Sequence, residues 1–302
     1  MRWVLLVALL LMSACRNDAR EVAIDDVPPA AQAGATGNGA STGTVTEDCG
    51  TNAGRHLNAD NIVSAPGKPF GAHHTHEYVG NTSTDHASTD DSLAAATTTC
   101  PDDDRSTYYW PVLRLTARTG PDHHAPGGGE HGNTGEVLPP GRVGITFTGN
   151  PASHVVPMPR FLRLITGDPS ARTTGQSTAK WSCTGFEDRR TGRYPVCPAD
   201  SDVVRIFEFP SCWDGRNTDS PSHRAHLVFP GADGVCPPRT FPVPKLTVRV
   251  VYDVPEGEPF AVDSFPDQDR DPRTDHSMAV NVMTDDGMRR VAECLNSGRT
   301  CP

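Results

Sequence analysis

Eight cysteines spread from Cys49 to Cys301 constrain this chain more than any other feature, because paired they tie distant loops into one small set of folds. Short spacings suggest Cys183 with Cys197, Cys212 with Cys236 and Cys294 with Cys301, and elimination leaves Cys49 with Cys100. Spacing alone leaves other pairings open. The competing use of cysteine is zinc, but no Cys-x-x-Cys pair is present. Each bridge contributes roughly 2–4 kcal/mol, mostly by restricting the unfolded chain.

The ninth cysteine, Cys15, closes a leader. Arg2, an apolar run from Trp3 to Met12 and then Ser13-Ala14-Cys15 read as a charged n-region, an h-region and a small-residue cleavage site. Crossing a bilayer takes roughly 20 apolar residues; this run is half that, so it is read as an export signal, and no transmembrane helix is expected. Met12-Ser13-Ala14-Cys15 also resembles a bacterial lipobox. The expectation is an exported protein, lipid-anchored at the cell envelope through Cys15 or, with ordinary cleavage, secreted. Either address is oxidising enough for disulfides. Residues 16–48 are rich in Ala, Gly, Thr, Ser and Asp with few large apolar side chains, which reads as a flexible tether. Order should begin at Cys49, leaving residues 49–302 as a single disulfide-stapled domain.

Strand-like stretches are expected at 143–148, 203–209, 225–229 and 245–252. In the last, Leu246, Val248, Val250 and Tyr252 alternate with Thr247, Arg249 and Val251, the period of a half-buried strand. One helix is convincing, Asp285–Leu295 capped by Thr284 or Asp285, with Met288, Val291, Ala292 and Leu295 on one face. Glycine and proline, 28 of each, punctuate the rest. The fold class is therefore mostly β, a single sandwich or jelly-roll-like domain with long loops and a short C-terminal helix. The net charge of −10 argues against nucleic acid and against anionic membrane surfaces, which select clustered Lys and Arg.

Chemistry concentrates in the histidines. The stretch Gly71-Ala-His-His-Thr-His-Glu-Tyr-Val-Gly-Asn81 holds three of the twelve. On an extended segment residues i and i+2 face the same way, so His74 and His76 project together. His223 with His226, and the distant His276, are the groups placed to meet them. Zinc or another divalent metal accepts imidazoles from a rigid strand plus one or two more from elsewhere. The expected ligands are His74, His76 and His226, since His223 and His226 point to opposite faces of a strand. Asp219, Asp214 or Glu77 would orient them or act as base. The metal-free version uses the same imidazoles, with Asp219, as acid and base. His123, His124 and His131 sit in the Gly-rich stretch Gly120–Gly135, where rigid support is not expected. Tyr108-Tyr109-Trp110-Pro111 is read as a plug at a core edge rather than a sugar-stacking platform. No Gly-x-Ser-x-Gly elbow appears, which argues against covalent acyl chemistry.

The run Phe209-Pro-Ser-Cys-Trp-Asp-Gly215, followed by Asp219-Ser220, His223, His226 and Cys236-Pro237, closely resembles a domain-of-unknown-function family of secreted proteins shared by actinobacteria and fungi. His74-Thr75-His76 with Gly80-Asn81, Gly167-Asp168, and the terminal Cys294-Leu295-Asn296 to Cys301 fit its other motifs, so the likeness covers most of residues 55–301. One departure is visible: the family pattern has His-Ala-Asp-Phe where this chain has His276-Ser-Met-Ala279, so Met278 replaces an acid. Some fungal members carry WSC carbohydrate-binding domains. The resemblance therefore implies an extracellular glycan or cell-envelope polymer as partner, and the expected function is a hydrolase or lyase using His74, His76, Asp219, His223, His226 and His276. The alternative is a non-catalytic glycan-binding or surface-interaction module that would use Tyr108, Tyr109, Trp110 and Trp213.

Overall fold

The computed structural model describes residues 20–31, 36–102, 104–171, 173, 178 and 180–302; the expected leader and Cys15 lie outside them. Two sheets carry the architecture. Six strands are ordered 180–183, 203–208, 245–252, 142–148, 44–47 and 300–301, antiparallel except for the last pair. Five are ordered 57–58, 76–80, 107–111, 276–280 and 163–167, all antiparallel. The expected long strands are present; the stretch expected at 225–229 contracts to Leu227–Val228.

The sheets pack face to face because each turns an apolar face inward. Val143, Ile145, Phe147, Leu246, Val248 and Val250 of the larger sheet meet Val79, Tyr108, Trp110, Leu164 and Ala279 of the smaller in one buried cluster. The smaller sheet is buried on its outer face too: Tyr78, Tyr109, Ile165, Met278 and Val280 are covered by Ile62, Val63 and Leu93. Leu93 belongs to a short helix, Asp90–Ala95, fixed by a reciprocal Thr89–Ser92 capping box that the sequence reading missed. The C-terminal helix spans Asp285–Asn296, and the Thr284 side chain accepts the Gly287 N–H as its cap. All four disulfides are the expected ones: Cys49–Cys100, Cys183–Cys197, Cys212–Cys236 and Cys294–Cys301. Among the described residues no helix is long and apolar enough to cross a membrane.

The tether expectation needs correction over its described part. Glu21–Ala23 pairs in parallel with Tyr194–Val196, and Thr44–Glu47 lies between two strands of the larger sheet. The larger apolar residues of its described part serve this docking: Ile24 and Val27 pack on Cys183 with Val22 against them, and Val45 enters the main core.

The sheets are also joined by buried charge. Arg205, fully buried, forks onto Asp275 (Nε–Oδ2 3.0 Å, Nη2–Oδ1 2.5 Å), and its Nη1 donates to Pro111 O (2.8 Å) and Tyr252 Oη (3.0 Å). Tyr252 Oη and Trp110 Nε1 donate to Glu77 Oε1 at 2.5 and 2.7 Å. Asp275 precedes His276 and Glu77 follows His76, so this network holds from behind the two strand segments that carry those histidines.

Candidate metal centre

Strand alternation sends His76 and His276 to the outer face of the smaller sheet, away from Glu77 and Asp275. His76 is paired with Pro111 on the central strand, and the register that pairs Met278 with Tyr109 brings His276 level with the same proline. On the far side His276 pairs with Gly167, where a Cβ would lie 2.5 Å from His276 Cα and 2.6 Å from its Cβ. Glycine at φ +81° is what leaves space for the histidine there. His74 sits two residues before the strand. The N–H of Thr75 donates to Asp263 Oδ2, and Thr75 O accepts from Val112 N.

The three imidazoles converge. His74 Nε2 is 3.1 Å from His76 Nε2 and 3.1 Å from His276 Nε2, and all three rings are 0–1% exposed. His76 Nδ1 donates to Asp60 O and His276 Nδ1 to Thr274 O, each at 2.8 Å. A carbonyl only accepts, so both protons sit on Nδ1 and both Nε2 lone pairs face inward. One N–H on His74 Nε2 can satisfy only one of them well, whereas a single cation would take all three. Tetrahedral zinc with Zn–N of about 2.0–2.1 Å sets its nitrogens about 3.3 Å apart, close to the spacing here. The backbone carbonyls behind His76 and His276 are the outer partners that metal-bound imidazoles use. Burial lowers all three pKa values, reinforced by neighbouring imidazoles at His74 and His76 and by the Arg205 and Arg224 charges at His276: His76 falls to about 3, His276 to about 4 and His74 well below its ordinary value. All three are therefore neutral at pH 7.

The third imidazole differs from the expected one. His226 is not in this group: its Nε2 donates to Arg163 O (2.8 Å) and its Nδ1 faces Ser220 Oγ (3.0 Å). His276 takes its place, because the long-range sheet register rather than local spacing decides which rings meet. The 218–226 segment does line the neighbouring edge, since Thr218 O accepts from Arg163 N, and Arg224 Nη2 donates to Gly167 O at 2.7 Å beside His276. His223 pairs with Asp219 at 2.9 and 3.0 Å through Nδ1, at φ +54°. Two other expected partners serve elsewhere: Glu77 lies on the inner face, its pKa raised to about 7 by burial, and Asp214 caps its own turn at Arg216 and Asn217.

The Gly-rich stretch is supported, contrary to expectation. Asp122 takes a two-pronged ion pair from the buried Arg114 (2.8 and 2.6 Å), which also forks onto Asp263. Gly127 packs against Ala59, Thr75 and His74, and donates its N–H to His131 Nδ1. His131 Nε2 then meets His73 Nδ1 at 3.2 Å, and Phe265 lies 5.3 Å from the His74 ring, so both cover the centre. The aromatic plug is core, as read: Tyr108, Tyr109 and Trp110 are 0–2% exposed and offer no sugar platform. Trp213 is half-buried, its Nε1 bonded to Asn217 O.

No curated protein and no solved structure matches the chain. A family model, the domain of unknown function DUF1996, matches residues 60–279, which contain His74, His76, His276 and the whole 218–226 segment. That is well over half of the sequence, and the chain belongs to this family.

Proposed function

We propose that the chain is an exported protein with one divalent metal ion held by His74, His76 and His276, acting as a hydrolase or lyase on extracellular polysaccharide or another cell-envelope polymer. One observation carries the metal: three neutral imidazole nitrogens lie within 4.8 Å of one another, His74 Nε2 3.1 Å from each of the other two, with the lone pairs of His76 and His276 facing inward. A bound ion would supply charge to polarise a substrate oxygen or to acidify water. The chain's own acid–base candidate is His223, whose Nδ1–H is oriented by Asp219 and whose Nε2 is bonded to no described residue. Export is supported by the leader-like N-terminus and the four disulfides, and the polymer only by the carbohydrate-binding domains that the family resemblance gives to some fungal members. The non-catalytic module loses Tyr108, Tyr109 and Trp110 to the core and keeps only the half-buried Trp213 as a stacking ring.

Burial of all three ligands favours a second reading, in which the ion is purely structural and ties the strand of His76 to that of His276. Metal analysis after reconstitution of the untagged, disulfide-intact protein should give about one equivalent, lost in a His74→Ala, His76→Ala double variant that keeps its circular dichroism. Cobalt-substituted protein titrated with azide then separates the two readings: a changed visible spectrum marks an open coordination position, and an unchanged one a closed structural site. Wild-type protein that binds neither zinc, copper nor cobalt sinks both.

A further inference from the structure

From the geometry of the 218–226 turn we infer, against the expectation drawn from the missing Gly-x-Ser-x-Gly elbow, that Ser220 is a nucleophile activated by His226, presented on a turn instead of an elbow and forming an esterase-type site separate from the three-histidine centre and independent of any metal there. The tautomer is forced. His226 Nε2 faces Arg163 O at 2.8 Å, and since a carbonyl only accepts, the proton is on Nε2 and the lone pair on Nδ1. Ser220 Oγ, 3.0 Å from that lone pair, must be the donor. This is the arrangement of nucleophile, base and orienting group that activates a hydroxyl, with a backbone carbonyl in the third role. His226 is 1% exposed and rigidly held, while Ser220 is half-buried and within reach of a substrate.

The surroundings suit the chemistry. Ala225 N–H donates to Ser220 Oγ at 3.1 Å, which fixes the oxygen and leaves a lone pair for attack. The turn is closed by backbone donors, His223 N–H on Ser220 O and Ala225 N–H on Ser220 Oγ and Ser222 Oγ, and none of these requires the hydroxyl proton to be aimed at an imidazole with its tautomer set. Asp214, whose N–H donates to His226 O at 2.9 Å, brings a carboxylate to the same loop to favour an imidazolium. His223 within the turn holds φ +54°, a conformation that non-glycine residues adopt mainly where surrounding contacts impose it.

The substrate class is an oxygen ester with a small acyl group, such as an O-acylated glycan. Ser220 Oγ attacks the ester carbonyl carbon as its proton passes to His226 Nδ1. The tetrahedral adduct collapses, the C–O bond to the alcohol breaks, and the alcohol leaves with that proton. Water, giving a proton to the same nitrogen, attacks the acyl-serine; the acid departs and the proton returns to Ser220.

The test uses the full oxidised chain and a fluorophosphonate probe, read by intact mass and peptide mapping. Wild type should gain one adduct on Ser220 and none in Ser220→Ala, and p-nitrophenyl acetate turnover should vanish with it. Because Ser220→Ala also loses the turn bond, His226→Asn is the second variant. Its amide oxygen can still accept from Ser220 but cannot take the proton, so labelling should slow about 100-fold or more with the fold intact. No adduct on wild type at saturating probe, an adduct mapped to another residue, or His226→Asn labelling at the wild-type rate would each overturn the assignment.

Discussion

Replacing Arg205 with methionine removes a fully buried guanidinium and leaves the Asp275 carboxyl, 1% exposed, without its fork. At an effective dielectric of about 20, one such pair near 4 Å is worth about 4 kcal/mol, and the contacts here are closer, at 2.5 and 3.0 Å. Stranding one member of a buried pair costs about 3–5 kcal/mol, so Arg205→Met should lower stability by that amount. For a domain of this size that is a fall in Tm of roughly 6–20 °C. Urea unfolding of the oxidised protein can be followed by the fluorescence of Trp181, whose ring lies 5.3 Å from the guanidinium. The Arg205→Met, Asp275→Leu double variant should recover at least half of the loss, since no uncompensated charge remains. A single variant that costs under about 1 kcal/mol, against the 3–5 expected of a stranded buried charge, or a double variant no better than the single, would refute the reasoning. Because Asp275 precedes His276, Arg205→Met should also weaken zinc binding.

Two more perturbations follow from single positions. Burial, with Asp104 and Asp102 nearby, raises the Glu47 pKa from 4.5 to about 7; a raised folded pKa gives stability that is full below about 4.5 and lost as pH rises through about 7. The loss is on the order of 3 kcal/mol, so Glu47→Gln should flatten the fall in urea midpoint between pH 4.5 and 8, and an unchanged fall would show that the proton is held elsewhere. Gly127→Ala places a Cβ 2.6 Å from Ala59 Cβ at φ +83°, whereas Gly132→Ala at φ +81° meets open space. The second change should cost about 1–2 kcal/mol for the left-handed backbone alone and the first clearly more, and equal Tm shifts would mean that the Gly-rich stretch is not packed against His74.

What was legible in the sequence was what local chemistry governs. Disulfides spanning 7, 14 and 24 residues follow from proximity, and the fourth from elimination. Alternation along 245–252 marks a strand with one face in the core, and the 3.6-residue period after Thr284 marks a helix. His74 and His76 are a same-face pair for the same reason. Residues 20–31 and 36–48 were misread because their apolar side chains are too few to signal a strand until a partner surface exists to bury them.

The third member of the histidine group could not be read in this way. His226 and His276 are equally good imidazoles in a sequence; which one reaches His74 depends on a register across Pro111, on Gly167 leaving room, and on carbonyls at Asp60 and Thr274 setting the tautomers. Arg205 and Arg114 likewise look like any arginine until the fold buries them. Local sequence determines which residues can bend, alternate or cross-link, because those preferences act over a few bonds. Only tertiary structure decides which distant side chains share a point and lose their water, and that loss keeps the three imidazoles neutral and able to hold a metal.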